Sequence, residues 1–117
     1  DIAVRGARVL VMGYTFKENC ADTRNTKVVD IVSELAAYSV SVDVHDPWVG
    51  AEKLRSEHGV NGVEQPGMGI YDAVVVAVGH REFIDRGSDA LRNLGKSGAV
   101  LFDIKGIFGK SGSDLRL

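Results

Sequence analysis

YDAVVVAV, residues 71–78, contains the longest apolar run in the chain, 73–78, and decides its fold. The unbroken Ala/Val stretch 73–78 leaves no side for water, the pattern of a strand covered on both faces in the middle of a parallel sheet. Upstream, Val9, Leu10, Val11 and Met12 form a second short apolar run closed by Gly13. Between the two, Val40, Val42 and Val44 alternate with Ser41, Asp43 and His45, a period-2 strand ended by Asp46-Pro47. Residues 99–102 make a final strand, and residues 62–64 a short one. Val28, Ile31, Val32, Leu35 and Ala36 recur at helical spacing, with Asn25 or Thr26 placed to cap the helix that presents them. A weaker helix over residues 51–58 is stopped by Gly59, and helical pieces are expected at 82–86 and 88–94. The order β-α-β-α-β-β-α-β predicts an α/β fold: a Rossmann-like three-layer sandwich with a mostly parallel sheet. The Gly/Ser/Lys-rich tail at 109–113 reads as mobile.

At 117 residues the sequence accommodates one domain over 1–117, with a core that needs neither disulfides nor metal. A net charge of −2 gives no general attraction to nucleic acid or an anionic membrane, so any anion site must be built locally. The single cysteine, Cys20, precludes an intrachain disulfide and points to a reducing, cytoplasmic setting. No apolar stretch approaches the ~18 residues of a membrane span. The opening DIAVRGARVLVMG has no signal-peptide pattern and runs without an initiator Met into the first strand. It reads as a piece of a longer polypeptide, although a processed terminus would look the same.

Ligands of open α/β sheets gather beyond the carboxyl ends of the strands. That edge is predicted to carry the loops 13–26, 45–49 and 79–83, and the turn 103–106. The glycine-rich dinucleotide fingerprint is missing: Gly13 is followed by Tyr14, Thr15 and Phe16. A bulky Phe16 where a glycine should admit the pyrophosphate argues against ordinary NAD binding at this strand. Asp46 stands where a ribose-binding acid would sit, but far beyond the usual ~20-residue spacing, and a simple Asp-Pro turn is the preferred reading. The first loop instead concentrates charge: Lys17, Glu18, Asp22, Arg24 and Lys27. Lys17 and Arg24 lie between a buried strand and a helix start, a place suited to phosphate. A solvated loop whose charges pair among themselves is the competing reading.

VLVMGYTFKENCADTRNTKVVDIVSEL, residues 9–35, resembles the start of the C-terminal domain in the UDP-glucose/GDP-mannose dehydrogenase family, with its strand, glycine, F-K and following D-x-R. The form FKEN-C-x-D-x-RNTKVVDIV is similar to the branch acting on UDP-N-acetylhexosamines. VDVHDPWV (42–49), YDAVVVAVGHREF (71–83), FDIKGIF (102–108) and the closing DLRL extend the likeness, in order, over nearly the whole sequence. Ala21, where that branch usually has Pro, and Gly79, where Ala is usual, depart from it. The resemblance implies a domain that binds the UDP part of a UDP-sugar, with Phe16 and Lys17 contacting the substrate nucleotide. It implies that Arg24 reaches across a domain cleft towards NAD. NAD itself would be held mainly by an N-terminal domain, and the catalytic nucleophile would lie in segments outside this sequence. The N-terminal NAD-binding and central domains of the same polypeptide are then its partners, within an enzyme expected to be a homo-oligomer.

Cys20 stands outside the context of the family's nucleophile and is not expected to be catalytic. His45, His58 and His80 lack metal-ligand spacing with one another or with Cys20. His80 is placed to cap a loop or, less readily, to touch ligand. Lys105 is placed equally well for phosphate or for solvent. Two functions compete: part of an NAD-dependent UDP-sugar 6-dehydrogenase, inactive alone, or a stand-alone nucleotide-binding or regulatory module of the same architecture.

Overall fold

The computed structural model of the protein describes residues 6–24 and 26–109, and the backbone of residues 115 and 116. Its elements follow in the order β1 (Arg8–Met12), α1 (Val28–Ala37), β2 (Ser41–His45), α2 (Ala51–His58), β3 (Asn61–Gly62), β4 (Tyr71–Val76), α3 (Arg81–Arg92), β5 (Gly95–Asp103) and β6 (Leu115–Arg116). The strands form one sheet in the order β3-β2-β1-β4-β5-β6, and every neighbouring pair is parallel. Val9 faces Val42 on one side and Ala73 on the other, so the two apolar runs of the sequence lie side by side at the centre.

This order creates a switch point. From β1 the chain builds outward through β2 and β3, then returns to lay β4 against the other side of β1 and builds through β5 to β6. The loops leaving β1 and β4 therefore diverge from adjacent strand ends and open a crevice between them, the usual ligand position in such sheets.

Both faces of the sheet are covered. On one face Val9, Val11, Val44 and Val75 pack with Val28 and Leu54, and with Ile31, Val32 and Leu35 of α1. On the other, Leu10, Met12, Val74, Val76 and Leu101 pack with Phe83 and Leu91 of α3. The even and odd residues of β1 thus serve opposite cores, which is why its sequence shows no polar alternation.

The helices begin and end close to expectation, for local reasons. The first helical residue of α1 is Val28, one residue later than a cap at Thr26 and two later than a cap at Asn25 would give; Thr26 Oγ1 still accepts the Val28 N–H at 3.1 Å. Asn25 itself lies outside the described residues. Gly59 closes α2 in the left-handed region (φ 66°), donating its N–H to the Leu54 carbonyl. Gly87 (φ 83°, ψ 158°) interrupts α3, dividing it where the two expected helical pieces meet.

Three points differ from the sequence reading. The last long strand starts at Gly95, before the apolar residues that signal it, because its first residue pairs with Tyr71 across a register shift. β6 (Leu115–Arg116) adds a sixth strand, too short to be signalled by its own sequence pattern. Asp43, read as a polar outward residue of β2, is buried: it accepts from the Tyr71 hydroxyl and from Asn61 Nδ2, both at 2.6 Å. Burial first, then the Asp43 carboxylate, pushes the Tyr71 phenol well above its ordinary value. Residues 110–113 of the tail read as mobile lie outside the described residues.

Candidate functional site

The crest of the loop after β1 carries Phe16, 53% exposed, followed by the exposed Lys17, Glu18 and Asn19. Just before it the chain is wholly buried: Tyr14 and Thr15 are 2% and 1% exposed. The backbone amides that would cradle a phosphate in a dinucleotide fold are already engaged here. Gly13 N–H goes to the His45 carbonyl (2.8 Å), and Tyr14 and Thr15 N–H go to Asp46 Oδ2 (2.7 and 3.2 Å). Phe16 N–H goes to the Asp22 carbonyl at 2.7 Å. A carboxylate of the protein thus occupies the anion position after β1, and the residues present do not fit an NAD pyrophosphate there.

Asp46 is therefore more than a turn former. The turn exists, with Trp48 N–H donating to Asp46 Oδ1 at 2.8 Å, but Oδ2 reaches back across the sheet edge to the first loop and accepts from His80 Nε2 at 2.9 Å. The Asp46 side chain is 0% exposed. Burial alone would raise its pKa; the bonds from His80, Tyr14 and Trp48 outweigh that and hold it below the ordinary carboxylate value. An Asp-Pro step announces the turn, whereas nothing local in the sequence announces a partner more than thirty residues upstream.

His80 caps the loop and is fully buried. Its ring meets Thr15 Oγ1 (3.1 Å) and the Asn19 N–H (2.9 Å), packs edge-on to Phe83, and lies roughly parallel to the Trp48 indole. Trp48 Nε1 donates to Glu82 at 2.9 Å, and the Arg81 guanidinium sits 5.9 Å above its ring. Thr15, Asn19 and Trp48 are the contributors that sequence reasoning passed over; only the turn-prone Asn19, at φ 55°, carried any local signal.

The Arg24 side chain stands out from this edge, 85% exposed. It forms a forked pair with Asp22, Nε to Oδ1 at 3.0 Å and Nη2 to Oδ2 at 3.2 Å, while its own N–H caps the same carboxylate at 2.9 Å. The Arg24 side-chain bond is the main reason the Asp22 carboxyl sits below its usual value, and Asp22 in turn raises the guanidinium. This pairing fits the competing reading of a braced loop, and the exposed guanidinium still has donors facing outward. Lys17 and Lys105 are exposed. Cys20 is half-buried and its Sγ accepts the Asp22 N–H at 3.4 Å, so it acts as a loop constituent. Gly79, at the end of the central strand, lies under Ile107: a Cβ there would stand 2.9 Å from Ile107 Cγ2, so the glycine lets the loop after β5 settle on the strand end. Among the described residues no group of His, Cys, Asp and Glu could hold a metal, and no helix is long and apolar enough to cross a membrane.

The chain is similar in sequence and fold to known proteins. Over 116 residues the chain is 55% identical to the UDP-N-acetyl-D-glucosamine 6-dehydrogenase of Pseudomonas aeruginosa and 48% identical to that of Salmonella typhi. These alignments take in 99% of this chain and 28% and 27% of the two relatives, so the chain spans little more than a quarter of their length. Among solved structures, the UDP-glucose dehydrogenase of the hyperthermophilic archaeon Pyrobaculum islandicum superposes with a TM-score of 0.70 at 26% identity, over 96% of this chain and 25% of that one. Residues 10–110 match the UDP binding domain of the UDP-glucose/GDP-mannose dehydrogenase family. The chain belongs to that family, as its UDP-binding domain.

Proposed function

We propose that this chain holds the nucleotide half of a UDP-sugar on the crest formed by Phe16 and Lys17. In this reading the whole polypeptide is a cytoplasmic, NAD-dependent enzyme that oxidises the C6 alcohol of a UDP-N-acetylhexosamine or UDP-glucose to a uronate. The observation that carries it is the contrast within one loop: Phe16 and Lys17 present free side chains at the switch-point crevice while the residues before and after them are fastened to the fold. The Phe16 ring offers a face for a base or ribose, and Lys17 a mobile point charge for the diphosphate. NAD, which accepts the hydride in such oxidations, finds no cradle after β1 and belongs to the N-terminal domain of the polypeptide. Arg24 is this chain's contribution towards it, through the guanidinium donors that Asp22 leaves free. The central domain and a second copy of the polypeptide complete the assembly.

Titrating the 117-residue chain with UDP tests the reading. Amide shifts should move at residues 13–17 and at Gly79 and His80, with an affinity weaker than about micromolar because only part of the site is present. Shifts confined to α1, or none at millimolar UDP, would overturn it. The same chain with NAD and UDP-sugar should produce no NADH, since the nucleophile expected of the family lies outside it; any turnover would refute the division of roles.

In the whole enzyme, Lys17→Ala should weaken UDP-sugar binding about tenfold to a hundredfold, the worth of a charge-assisted phosphate contact. NAD affinity should hold. Arg24→Ala should do the reverse: NAD use weakens while the melting temperature and UDP binding of the 117-residue chain stay near wild type, because the Asp22 pair is solvent-exposed and contributes little. A chain that loses stability and UDP affinity together, with unchanged NAD kinetics in the whole enzyme, would make Arg24 a brace of the loop alone.

A further inference from the structure

His80 begins α3 at the position where Ser, Thr, Asp or Asn commonly caps a helix, yet its side chain makes no cap bond to α3. The ring turns the other way, into the loop after β1. There it meets that loop at two points, one on each side of Phe16 and Lys17. Before the pair, Nε2 lies 3.1 Å from Thr15 Oγ1 and 2.9 Å from Asp46 Oδ2. After it, Nδ1 lies 2.9 Å from the Asn19 N–H.

The chemistry of these partners fixes the ring. A backbone N–H can only donate, so Nδ1 must accept and carries no proton; the proton sits on Nε2 and points to Thr15 Oγ1 and Asp46 Oδ2. Thr15 Oγ1, accepting there, is free to donate, and does so to the Lys17 carbonyl at 2.9 Å. Asn19 answers in the other direction: its Oδ1 accepts the Arg81 N–H at 2.7 Å and so supplies the cap that His80 does not. Trp48 and Phe83 pack against the imidazole and keep it dry. Every polar atom of the ring is spent on holding the backbone around Phe16 and Lys17, and none reaches the outside.

We propose that His80 is the positioning residue of the nucleotide site: a buried neutral imidazole that clamps the loop on both sides of Phe16-Lys17, so that UDP meets a loop already ordered. This rests on the nucleotide reading above. A loop ordered before binding does not charge its ordering entropy against affinity. His80 itself touches no ligand.

UDP titration of the 117-residue chain as wild type, His80→Asn, His80→Gln and His80→Ala tests the clamp, with far-UV circular dichroism and melting recorded for each. Asn can keep an acceptor near the Nδ1 position and so the Asn19 tie. Gln can reach the Nε2 position and keep the Thr15 and Asp46 ties. The expected order is wild type tightest, Asn and Gln weakened severalfold, and Ala weakened about tenfold or more, the effect of one to two net hydrogen bonds. A histidine that merely fills the core would alter the melting temperature and leave the UDP affinity of the folded chain alone. If a His80 variant fails to fold, Thr15→Val decides in its place. It keeps the imidazole with its Asp46 and Asn19 bonds and removes only the hydroxyl that links Nε2 to the Lys17 carbonyl, for an expected severalfold loss. No UDP binding by wild type would overturn the nucleotide reading and the clamp with it. Binding by wild type that folded His80 variants, or Thr15→Val, match in full would overturn the clamp alone.

Discussion

Gly13→Ala should bring the fold close to collapse. Gly13 closes β1 with φ at +101°, and a Cβ built on it would stand 2.6 Å from Val78 Cβ and 2.9 Å from the Val78 backbone nitrogen. These neighbours are the Cβ and backbone nitrogen of Val78, just past β4, which cannot move aside as a side-chain tip can. The left-handed conformation costs an L-residue roughly 1–2 kcal/mol, and overpacking against a fixed neighbour about 1–3 kcal/mol more. Together that is a large share of the ~5–15 kcal/mol that a domain has in hand. Urea unfolding with unchanged slope and a much lower midpoint is the expected result. Gly59→Ala is the control, because Gly59 also has positive φ (+66°) but nothing within 4 Å of its missing Cβ. It should lose only the conformational part. Equal losses at the two glycines would show that Val78 exerts no squeeze and that Gly13 serves its backbone angle alone.

How far the sequence foretold this molecule depends on the range of the interaction concerned. Elements defined by contiguous residues were legible. Val9 to Met12 and the Ala/Val run after Tyr71 have the unbroken apolar content that only a doubly covered strand needs, and they pair at the centre of the sheet. Gly59 and Gly87 ended helices where their missing Cβ permits a conformation other residues avoid. Asp43 and β6 were not legible for the opposite reason. A polar residue in an alternating strand reads as outward-facing unless one knows that Tyr71 and Asn61 bring it donors. β6 pairs with Phe102 and Asp103 of β5, a long-range partner that two residues of sequence do not announce. In the candidate site, Phe16, Lys17 and Arg24 stood out through the resemblance of their motif to the family's. The hidden half is the network behind them: Asp46, His80, Thr15 and Asn19 come from three loops. Each taken alone has an ordinary reading as a turn, a cap or a surface polar residue.

The same network makes Asp46→Ala the second large effect. The substitution strands three N–H donors at once, those of Tyr14, Thr15 and Trp48, and leaves His80 Nε2 only its contact with Thr15 Oγ1. Each buried unsatisfied group costs about 1–3 kcal/mol, and water entering the space left by the carboxylate recovers part, so a loss of roughly 3–5 kcal/mol is expected. Asp46→Asn should fall between, since one amide oxygen can serve some of the donors while its NH2 group faces the others. The charge leaves a second signature. Burial pushes the Asp46 pKa up, the bonds from His80, Tyr14 and Trp48 push it down further, and the net folded value lies below the ordinary 3.8. A carboxyl depressed on folding stabilises the protein fully above its unfolded pKa and loses that contribution as pH falls through the folded value. The stability gap between wild type and Asp46→Asn should therefore be flat above about pH 5 and shrink progressively below that, as both forms come to carry a neutral side chain. Taking the difference between the two proteins cancels the parallel titration of Asp22 and Asp72, whose values are also lowered. Urea denaturation from pH 7 down to the acid limit of the fold measures it directly. A gap that widens on acidification would mean that Asp46 is held protonated, and that His80 meets a neutral acid at the switch point.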